Sequence, residues 1–205
     1  MNTRYKKELM TITGPSCTGK TTLVKKLIAT GHFVEVVSFT SRQPRQGEVD
    51  GVDYYFKTNE ECQSLILGKK VAESVEFRDC YYGIERSELD AKLDSDKTPI
   101  IIVEPQGLMQ LRILYDCYAV YIDSNILDLY SRFLNRFRQS PNADVNYEAK
   151  RIAAIYKEWS NWPNMVGKPS CFINSYTDDT ESDIIKMLSE QSQSYQVANI
   201  TNQGN

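Results

Sequence analysis

The segment LMTITGPSCTGKTTLV, residues 9–24, carries the side chains whose types and spacing most directly predict chemistry. Gly14, Gly19, Lys20 and Thr21 match the pattern G-x-x-x-x-G-K-[ST] of a phosphate-binding loop. Glycine lets the backbone curl so that successive N–H groups point at a phosphate, and a following helix adds the positive end of its dipole. Lys20 would then reach the β- and γ-phosphates of a nucleotide, and the Thr21 hydroxyl would bind Mg²⁺. The alternative, a strand-to-helix turn that only happens to contain glycine, requires neither side chain.

A second group of polar residues lies in the segment SFTSRQPRQGEVDGVDYYF, residues 38–56. Arg42 and Arg45 flank a proline, which keeps the local backbone extended. Two guanidinium groups three residues apart, with the hydroxyl of Tyr54 nearby, suit a terminal phosphate. Taken alone, the segment is equally compatible with a solvated arginine-rich loop.

The elements that must position these groups are predicted from hydrophobic periodicity and from turn residues. Strands are expected at 9–13, 33–37, 54–56, 71–78, 99–103, 118–122 and 171–173. Helices are expected at 21–29, 59–68, 87–93, 107–114 and 147–159, and after Ser124 and Asp178. Strands that alternate with helices predict an α/β fold, with a central parallel sheet flanked by helices on both faces.

Three details of the second half are also predicted. Ser124 is expected to cap a helix with an apolar stripe formed by Ile126, Tyr130, Phe133 and Phe137. Asp178 and Glu181 have the spacing of a capping box at the start of the last helix. After Glu190 the chain is polar, so it is expected to be loose.

Composition narrows the class of protein. The 205 residues are 41% hydrophobic and 25% charged with a net charge of −3, so no general basic field exists for nucleic acid or an anionic membrane. Five scattered cysteines suit reduced thiols rather than a disulfide framework or a zinc site. Neither a signal peptide nor a run of transmembrane length is found, so we expect a cytoplasmic protein.

Taken together, the motifs resemble those of the guanylate kinase family, whose pattern around residues 38–56 is close to S-x-T-[TS]-R-x-P-R-x-G-E-x-x-G-x-D-Y-x-F. The match includes GPSCTGKTTL in the first loop, YYG at 81–83 and EPQG at 104–107. The resemblance covers residues 9–188 and is strongest before Gly107.

The resemblance implies a P-loop kinase fold with an inserted small lobe that binds a nucleoside monophosphate and with a helical lid. The domain would span 1–192. Its parts would be a core (8–37, 98–125 and 170–191), the monophosphate-binding lobe (38–97) and the lid (126–160), followed by a flexible polar tail (193–205).

The resemblance also implies roles for individual residues. ATP would be bound by Gly14, Pro15, Ser16, Cys17, Thr18, Gly19, Lys20, Thr21, Thr22 and Asn174, with Mg²⁺ on Thr21. The acceptor phosphate would be held by Arg42, Arg45, Tyr54 and Tyr82, and its base would face Ser38, Glu73, Ile84 and Glu104. Transfer itself would depend on Lys20, Arg42, Arg132, Arg136 and Arg151. For Glu73 the alternative is an exposed strand carboxylate, and for the lid arginines it is a solvated helix face.

Three residues depart from the family pattern. Cys17 replaces a glycine, and some sensitivity to thiol oxidation is expected there. Ile102 replaces an acidic residue close to the phosphates and metal, so Mg²⁺ would rely on Thr21, phosphates and water, and slower turnover is expected. Ile84 replaces a Ser or Thr that would hydrogen-bond the guanine O6. Three consequences are open: GMP binds weakly, another group such as Ser38 binds O6, or the acceptor carries a different base.

The resemblance therefore implies an ATP-dependent kinase for GMP or dGMP, which needs ATP, a nucleoside monophosphate and Mg²⁺ and neither nucleic acid nor a membrane. Because of Ile84, a kinase for a different nucleoside or deoxynucleoside monophosphate is an alternative. The base of that acceptor would be a modified purine or a pyrimidine. A non-catalytic interaction module with the same fold is the remaining alternative. The sequence does not indicate an oligomeric state.

Overall fold

The computed structural model describes residues 8–45, 47–77, 79–139, 145–174 and 177–202. The strands are β1 (Glu8–Thr13), β2 (Phe33–Glu35), β3 (Phe39–Thr40), β4 (Tyr55–Phe56), β5 (Val71–Phe77), β6 (Cys80–Glu85), β7 (Thr98–Ile102), β8 (Asp116–Asp123) and β9 (Cys171–Asn174). The helices are α1 (Lys20–Ala29), α2 (Asn59–Leu67), α3 (Arg86–Leu93), α4 (Pro105–Leu114), α5 (Ile126–Arg138), α6 (Val145–Val166) and α7 (Asp178–Asn202).

The central sheet has five strands in the order β2-β7-β1-β8-β9, and all of its pairings are parallel. Strand β1 lies in the middle, and all six of its residues are buried. Leu9 belongs to one core cluster, with residues of α3, α4 and α6, whereas Met10 and Ile12 belong to a second, with residues of α1 and α7. Both faces of the sheet are therefore covered by helices, which confirms the predicted α/β fold.

A second, smaller sheet has the strand order β4-β3-β6-β5. Its strands all come from residues 38–97, the segment that the sequence assigned to the monophosphate-binding lobe. Strands β5 and β6 form an antiparallel hairpin, and β6 pairs with the short β3. Helix α2 packs against this hairpin and begins with a capping box between Thr58 and Glu61. The small sheet thus holds Tyr82 and Glu73 on neighbouring strands.

The start of α5 differs from the prediction. The capping residue is Asn125, whose side chain accepts a hydrogen bond from the Leu127 N–H at 2.8 Å. Ser124 lies one residue earlier and is buried, and its carbonyl accepts from Trp159 Nε1. The predicted stripe is correct at Phe133, with Ile126 and Tyr130 partly buried, but Phe137 is 36% exposed and Leu129 is fully buried instead.

Helix α6 is longer than the predicted 147–159, because it continues through Pro163 to Val166. Its last turns are held by packing, since Trp162 and Val166 lie against the core cluster that contains Leu9. Arg112 of α4 also donates to the Val166 carbonyl at 2.8 Å. Pro163 has no backbone N–H and so removes one hydrogen bond of the helix. The packing of Trp162 and Val166 compensates for this loss.

The expectation of a loose chain after Glu190 is wrong for residues 191–202, which continue α7. Ser192 is fully buried, and its hydroxyl lies 2.7 Å from that of Thr98. Gln193 Nε2 lies 2.9 Å from His32 Nε2. The predicted capping box at the start of α7 depends on Asp178, whose side chain lies outside the described residues. No helix in the described ranges is both long enough and apolar enough to cross a membrane.

Candidate active site

The phosphate loop connects the end of β1 to the start of α1. A side chain at Gly14 is excluded, because a Cβ there would lie 2.1 Å from the Ile122 carbonyl oxygen. Gly19 caps α1 with a left-handed conformation, φ 97°. Lys20 Nζ donates to the carbonyls of Gly14 and Pro15, each at 2.7 Å. The Lys20 ammonium group therefore lies against the backbone of its own loop, next to the N-terminus of α1.

Cys17 has a backbone conformation that suits the glycine of the family pattern. Its φ is 69°, in the left-handed region, where a residue with a Cβ is disfavoured by about 1–2 kcal/mol. Its side chain packs beside an apolar cluster formed by Leu129, Phe133 and Ile155 of α5 and α6. The Cys17 carbonyl also accepts from Arg132 at 3.3 Å. Contacts with α5 and α6, the helices that the sequence predicts as the lid, thus accompany the strained residue.

The two arginines of the second motif are organised by a carboxylate that the sequence analysis did not assign. Arg42 donates twice to Glu48, at 2.8 and 3.0 Å, and the backbone N–H of Arg45 donates to the same carboxylate at 2.7 Å. Burial alone would raise the pKa of Glu48, but these hydrogen bonds and charges hold it below its ordinary value. The only sequence signal for Glu48 is the Gly-Glu pair inside the family pattern.

Aromatic rings complete this arginine cluster. The Arg42 guanidinium carbon lies 5.3 Å from the ring centre of Tyr54 and 5.8 Å from that of Phe56. The rings of Tyr54 and Tyr82 meet edge-on at 6.2 Å. Burial, followed by the charge of Glu104, raises the pKa of Tyr54 to about 12, so the hydroxyl remains a donor at neutral pH. The guanidinium groups of Arg42 and Arg45 and the hydroxyl of Tyr54 thus supply hydrogen-bond donors for a phosphate.

Glu73 is buried rather than an exposed strand carboxylate, with 4% of its surface accessible. Burial and then the charge of Glu104 raise the pKa of Glu73 to about 8. Its Oε2 has no hydrogen-bond partner in the described parts of the chain. A Cβ at position 107 would lie 2.6 Å from that oxygen, so Gly107 makes room for the carboxyl group. An unpartnered buried carboxyl oxygen at this place indicates a missing donor.

Ile84 pairs in register with Glu73 across the β5–β6 hairpin. It is fully buried in the apolar cluster that contains Leu89 and Leu108. The position next to the Glu73 carboxyl therefore offers hydrocarbon and no hydrogen-bond donor.

The lid arginines lie on two helices, Arg132 and Arg136 on α5 and Arg151 on α6. Arg151 is not on a solvated face: only 3% of it is exposed, and it donates to both Glu148 carboxylate oxygens at 2.7 and 3.1 Å. Its guanidinium lies 5.3 Å from the ring centre of Phe133. These contacts fix Arg151 before any nucleotide binds.

One cleft of about 640 Å³ joins most of these groups. Its described lining is formed by Ser16, Cys17, Gly19, Lys20, Thr21, Thr22, Arg42, Arg45, Tyr54, Phe77, Tyr82, Ile102, Val103, Glu104, Arg132, Arg136, Arg151, Trp162, Thr177 and Glu181. Among the described site residues predicted from the sequence, those outside the lining are Gly14, Pro15, Thr18, Ser38, Glu73, Ile84 and Asn174.

The sequence analysis missed the aromatic pair of Phe77 and Trp162, whose ring centres lie 5.9 Å apart across the cleft wall. It also missed Thr177 and Glu181. These residues come from segments far apart in the chain, so no local pattern indicates that they share a cleft.

Comparison with known proteins now adds a family assignment. The family model described as guanylate kinase matches residues 6–166. The chain belongs to the guanylate kinase family. It is 34% identical over 155 residues to a guanylate kinase of Protochlamydia amoebophila, covering 75% of this chain and 77% of that protein. It is 32% identical over 183 residues to a guanylate kinase of Thermosynechococcus vestitus, covering 88% of this chain and 91% of that protein.

A solved structure agrees at the level of the fold. The crystal structure of guanylate kinase from Anaplasma phagocytophilum superposes with a TM-score of 0.66, covering 91% of this chain and 86% of that one at 21% identity. The resemblance to guanylate kinases predicted from the motifs is thus confirmed.

Proposed function

We propose that this guanylate kinase family member transfers the γ-phosphoryl group of ATP to GMP or dGMP, giving ADP and the corresponding diphosphate. The observation that carries the proposal is the shared cleft, which the phosphate loop and the arginine–tyrosine cluster line together. A single binding loop would serve a nucleotide hydrolase equally well. Two phosphate-binding clusters on one cleft suit transfer between two nucleotides.

The chemistry requires positioning more than it requires a base. A phosphate oxygen of the acceptor forms a bond to Pγ while the bond from Pγ to the β–γ bridging oxygen breaks, and that oxygen stays on ADP. Because the attacking oxygen is already ionised, no proton has to be removed. Arg42 and Arg45 would align the acceptor, with the fork of Arg42 held in orientation by Glu48.

Charge neutralisation would come from the basic side chains of the cleft. Lys20, Arg132 and Arg151 lie on three different elements and line the same cavity. Preorganised cations stabilise the charge that spreads over the transferring group, and closure of the cleft strengthens this by excluding water. The fixed contacts of Arg151 suit such a role, because little reorganisation is then needed during transfer.

Mg²⁺ is expected with ATP, and the donor set suits an ion bound mainly by phosphates and water. Thr21 lines the cleft at the first turn of α1. The described residues contain no cluster of three or more His, Cys, Asp or Glu side chains that could hold a metal. Mg²⁺ commonly keeps several waters and takes few protein ligands when phosphates are present, so Thr21 fits as a protein ligand. The ion would neutralise phosphate charge and orient the donor.

Recognition of guanine would centre on Glu73. An ionised carboxylate accepts hydrogen bonds from N1–H and the exocyclic amine of guanine together, and adenine has no N1–H to donate. The unpartnered Oε2 of Glu73 supports this role. Ile84 favours a second candidate, another (deoxy)nucleoside monophosphate, because hydrocarbon beside Glu73 leaves a guanine O6 without a donor.

The test is a coupled assay of ADP release, with ATP and Mg²⁺, over a panel of ribo- and deoxynucleoside monophosphates. We expect the highest kcat/KM for GMP or dGMP, and loss of more than about a hundredfold in kcat for Lys20→Ala. Product from a non-guanine acceptor alone would support the second candidate. If the folded protein phosphorylates no member of the panel, the kinase proposal is wrong and the non-catalytic interaction module is the remaining alternative.

A further inference from the structure

A buried carboxylate of α6 contacts the phosphate loop directly. Glu158 is 2% exposed, and its Oε2 accepts a hydrogen bond from the Ser16 N–H at 2.8 Å. The two residues are 142 positions apart in the chain, so this contact exists only when α6 lies against the loop. None of the motifs in the sequence indicates a role for Glu158.

The carboxylate reaches the loop from the lid side and not from the cavity. Ser16 and Cys17 both belong to the described lining of the cleft, whereas Glu158, also a described residue, does not. A carboxylate at the phosphate-binding positions of the loop would repel the phosphates of ATP. Glu158 instead binds the loop at Ser16, which together with Cys17 forms the rim of the loop that contacts α5 and α6, and the Glu158 side chain is buried.

Two further contacts join the same rim to the lid helices. Arg132 of α5 donates to the Cys17 carbonyl at 3.3 Å, and the Cys17 side chain packs with the cluster of Leu129 and Phe133. Cys17 also has the left-handed backbone that glycine would adopt freely. The shape of the rim therefore depends on packing against α5 and α6, rather than on the conformational freedom of a glycine.

We propose that Glu158 is a positioning residue, which couples closure of the lid helices to the phosphate-binding shape of the loop through the Ser16 N–H. The proposal rests on the kinase function proposed above. When α6 moves away, the Ser16 N–H loses its hydrogen bond to Glu158 and the rim of the loop is released. When α6 docks, the rim is fixed at the same time as Arg132 and Arg151 reach the cleft. Loop geometry and lid closure are thus a single event.

The kinetic test compares Glu158→Met, Glu158→Gln and the control Lys157→Ala, which removes an exposed charge one residue away on α6. We expect Glu158→Met to lower kcat by roughly tenfold to a hundredfold, because displacement of about 1 Å near reacting groups has effects of this size. KM for ATP should change by less than about threefold, since Lys20 and the helix N-terminus still bind the phosphates. Glu158→Gln should recover most of kcat, because an amide oxygen also accepts from Ser16, and Lys157→Ala should match the wild type.

The second measurement needs no activity. Hydrogen exchange of the Ser16 amide should be protected in the wild type and faster by roughly tenfold or more in Glu158→Met, with the amides of β1 unchanged. Fast exchange of Ser16 in the wild type would overturn the proposal even if Glu158→Met failed to fold. So would a folded Glu158→Met with wild-type exchange at Ser16, or a Glu158→Gln variant as impaired as Glu158→Met. Because exchange is read without turnover, failure of the kinase assignment alone would not affect it.

Discussion

At the scale of single residues, position 84 departs most clearly from the guanylate kinase pattern. The pattern has Ser or Thr there, and this chain has an isoleucine that is fully buried beside Glu73. A methyl-bearing side chain in the apolar cluster stabilises the small lobe, whereas a hydroxyl would serve the base. Isoleucine at position 84 therefore favours packing of the apolar cluster, whereas Ser or Thr would favour recognition of the guanine O6.

Ile84→Thr should improve the use of GMP, with Ile84→Val as its matched control. Both variants shorten the side chain to a similar volume, and only threonine adds a hydroxyl. We expect KM for GMP to be roughly twofold to tenfold lower in Ile84→Thr than in Ile84→Val, the effect of one neutral hydrogen bond of about 0.5–1.5 kcal/mol. Steady-state kinetics with saturating ATP measure the ratio. Equal KM values in the two folded variants would show that O6 is recognised elsewhere.

Glu73 predicts a dependence of GMP binding on pH. Its pKa is raised to about 8, so at neutral pH the free enzyme holds mostly the protonated acid. Guanine requires the ionised carboxylate, which accepts two N–H groups, so binding releases a proton and strengthens as pH rises toward this pKa. KM for GMP should fall by roughly eightfold from about pH 7 to about pH 8.5, following the ionised fraction.

Glu73→Gln is the control for this dependence, because an amide does not titrate. Its KM for GMP should be higher than that of the wild type and flat over the same range. A KM for GMP that does not change with pH in the wild type would contradict the role assigned to the ionised Glu73.

Local sequence predicted part of this residue-scale picture. Gly14 and Lys20 belong to a contiguous motif whose spacing is sufficient to infer phosphate binding, whereas the role of Arg42 was inferred only from the family resemblance. Glu158 was not predictable, because its partner is 142 residues away and only the docking of α6 brings them together.

At the scale of elements, the C-terminal part of α7 follows the N-terminal edge of the central sheet. Gln191 hydrogen-bonds Glu8 at the start of β1, and Ser192 contacts Thr98 at the start of β7. Gln193 contacts His32, just before β2. Polar composition suggested a loose tail, but here the polar side chains bind the buried Glu8 and Thr98 and the more exposed His32 at three strand ends. Such pairing is tertiary, so hydropathy alone does not reveal it.

Two truncations test this anchoring. A chain that stops after Glu190 loses all three contacts, whereas a chain that stops after Ser194 keeps them. Leaving the buried Thr98 hydroxyl without its partner should cost about 1–3 kcal/mol. The melting temperature of the shorter chain should fall by roughly 3–10 °C relative to the longer one, as measured by scanning calorimetry. Equal melting temperatures would show that the end of α7 contributes nothing to stability.

Other element boundaries were mostly predictable within a few residues, because the apolar periodicity is strong. The cap at Asn125 and the extension of α6 through Pro163 were not. In both cases a tertiary contact decides: Trp159 binds the Ser124 carbonyl, and Trp162 packs on the core.

At the scale of the whole molecule, the distribution of charge is more informative about nucleotide binding than the net charge. The chain has a net charge of −3, yet its cleft is lined by six basic side chains from the described residues. Lys20 begins α1, Arg42 and Arg45 lie in the loop between β3 and β4, and Arg132, Arg136 and Arg151 lie on α5 and α6. The ring of Phe77 contacts that of Trp162 in the lining of the cleft, and an exposed ion pair between Lys150 and Asp79 also joins the β5–β6 hairpin to α6. Closing these parts on two anionic nucleotides is the physical basis of the proposed transfer.

Calorimetric titration with adenosine and guanosine joined 5′ to 5′ by five phosphates tests this arrangement most directly. The account predicts one molecule bound per chain, roughly a hundredfold or more tighter than ATP or GMP alone, because one ligand then occupies both clusters. Lys20→Ala and Arg42→Ala should each weaken this binding. An affinity no greater than that of ATP, unaffected by Arg42→Ala, would contradict the claim that the two clusters face each other across one cleft.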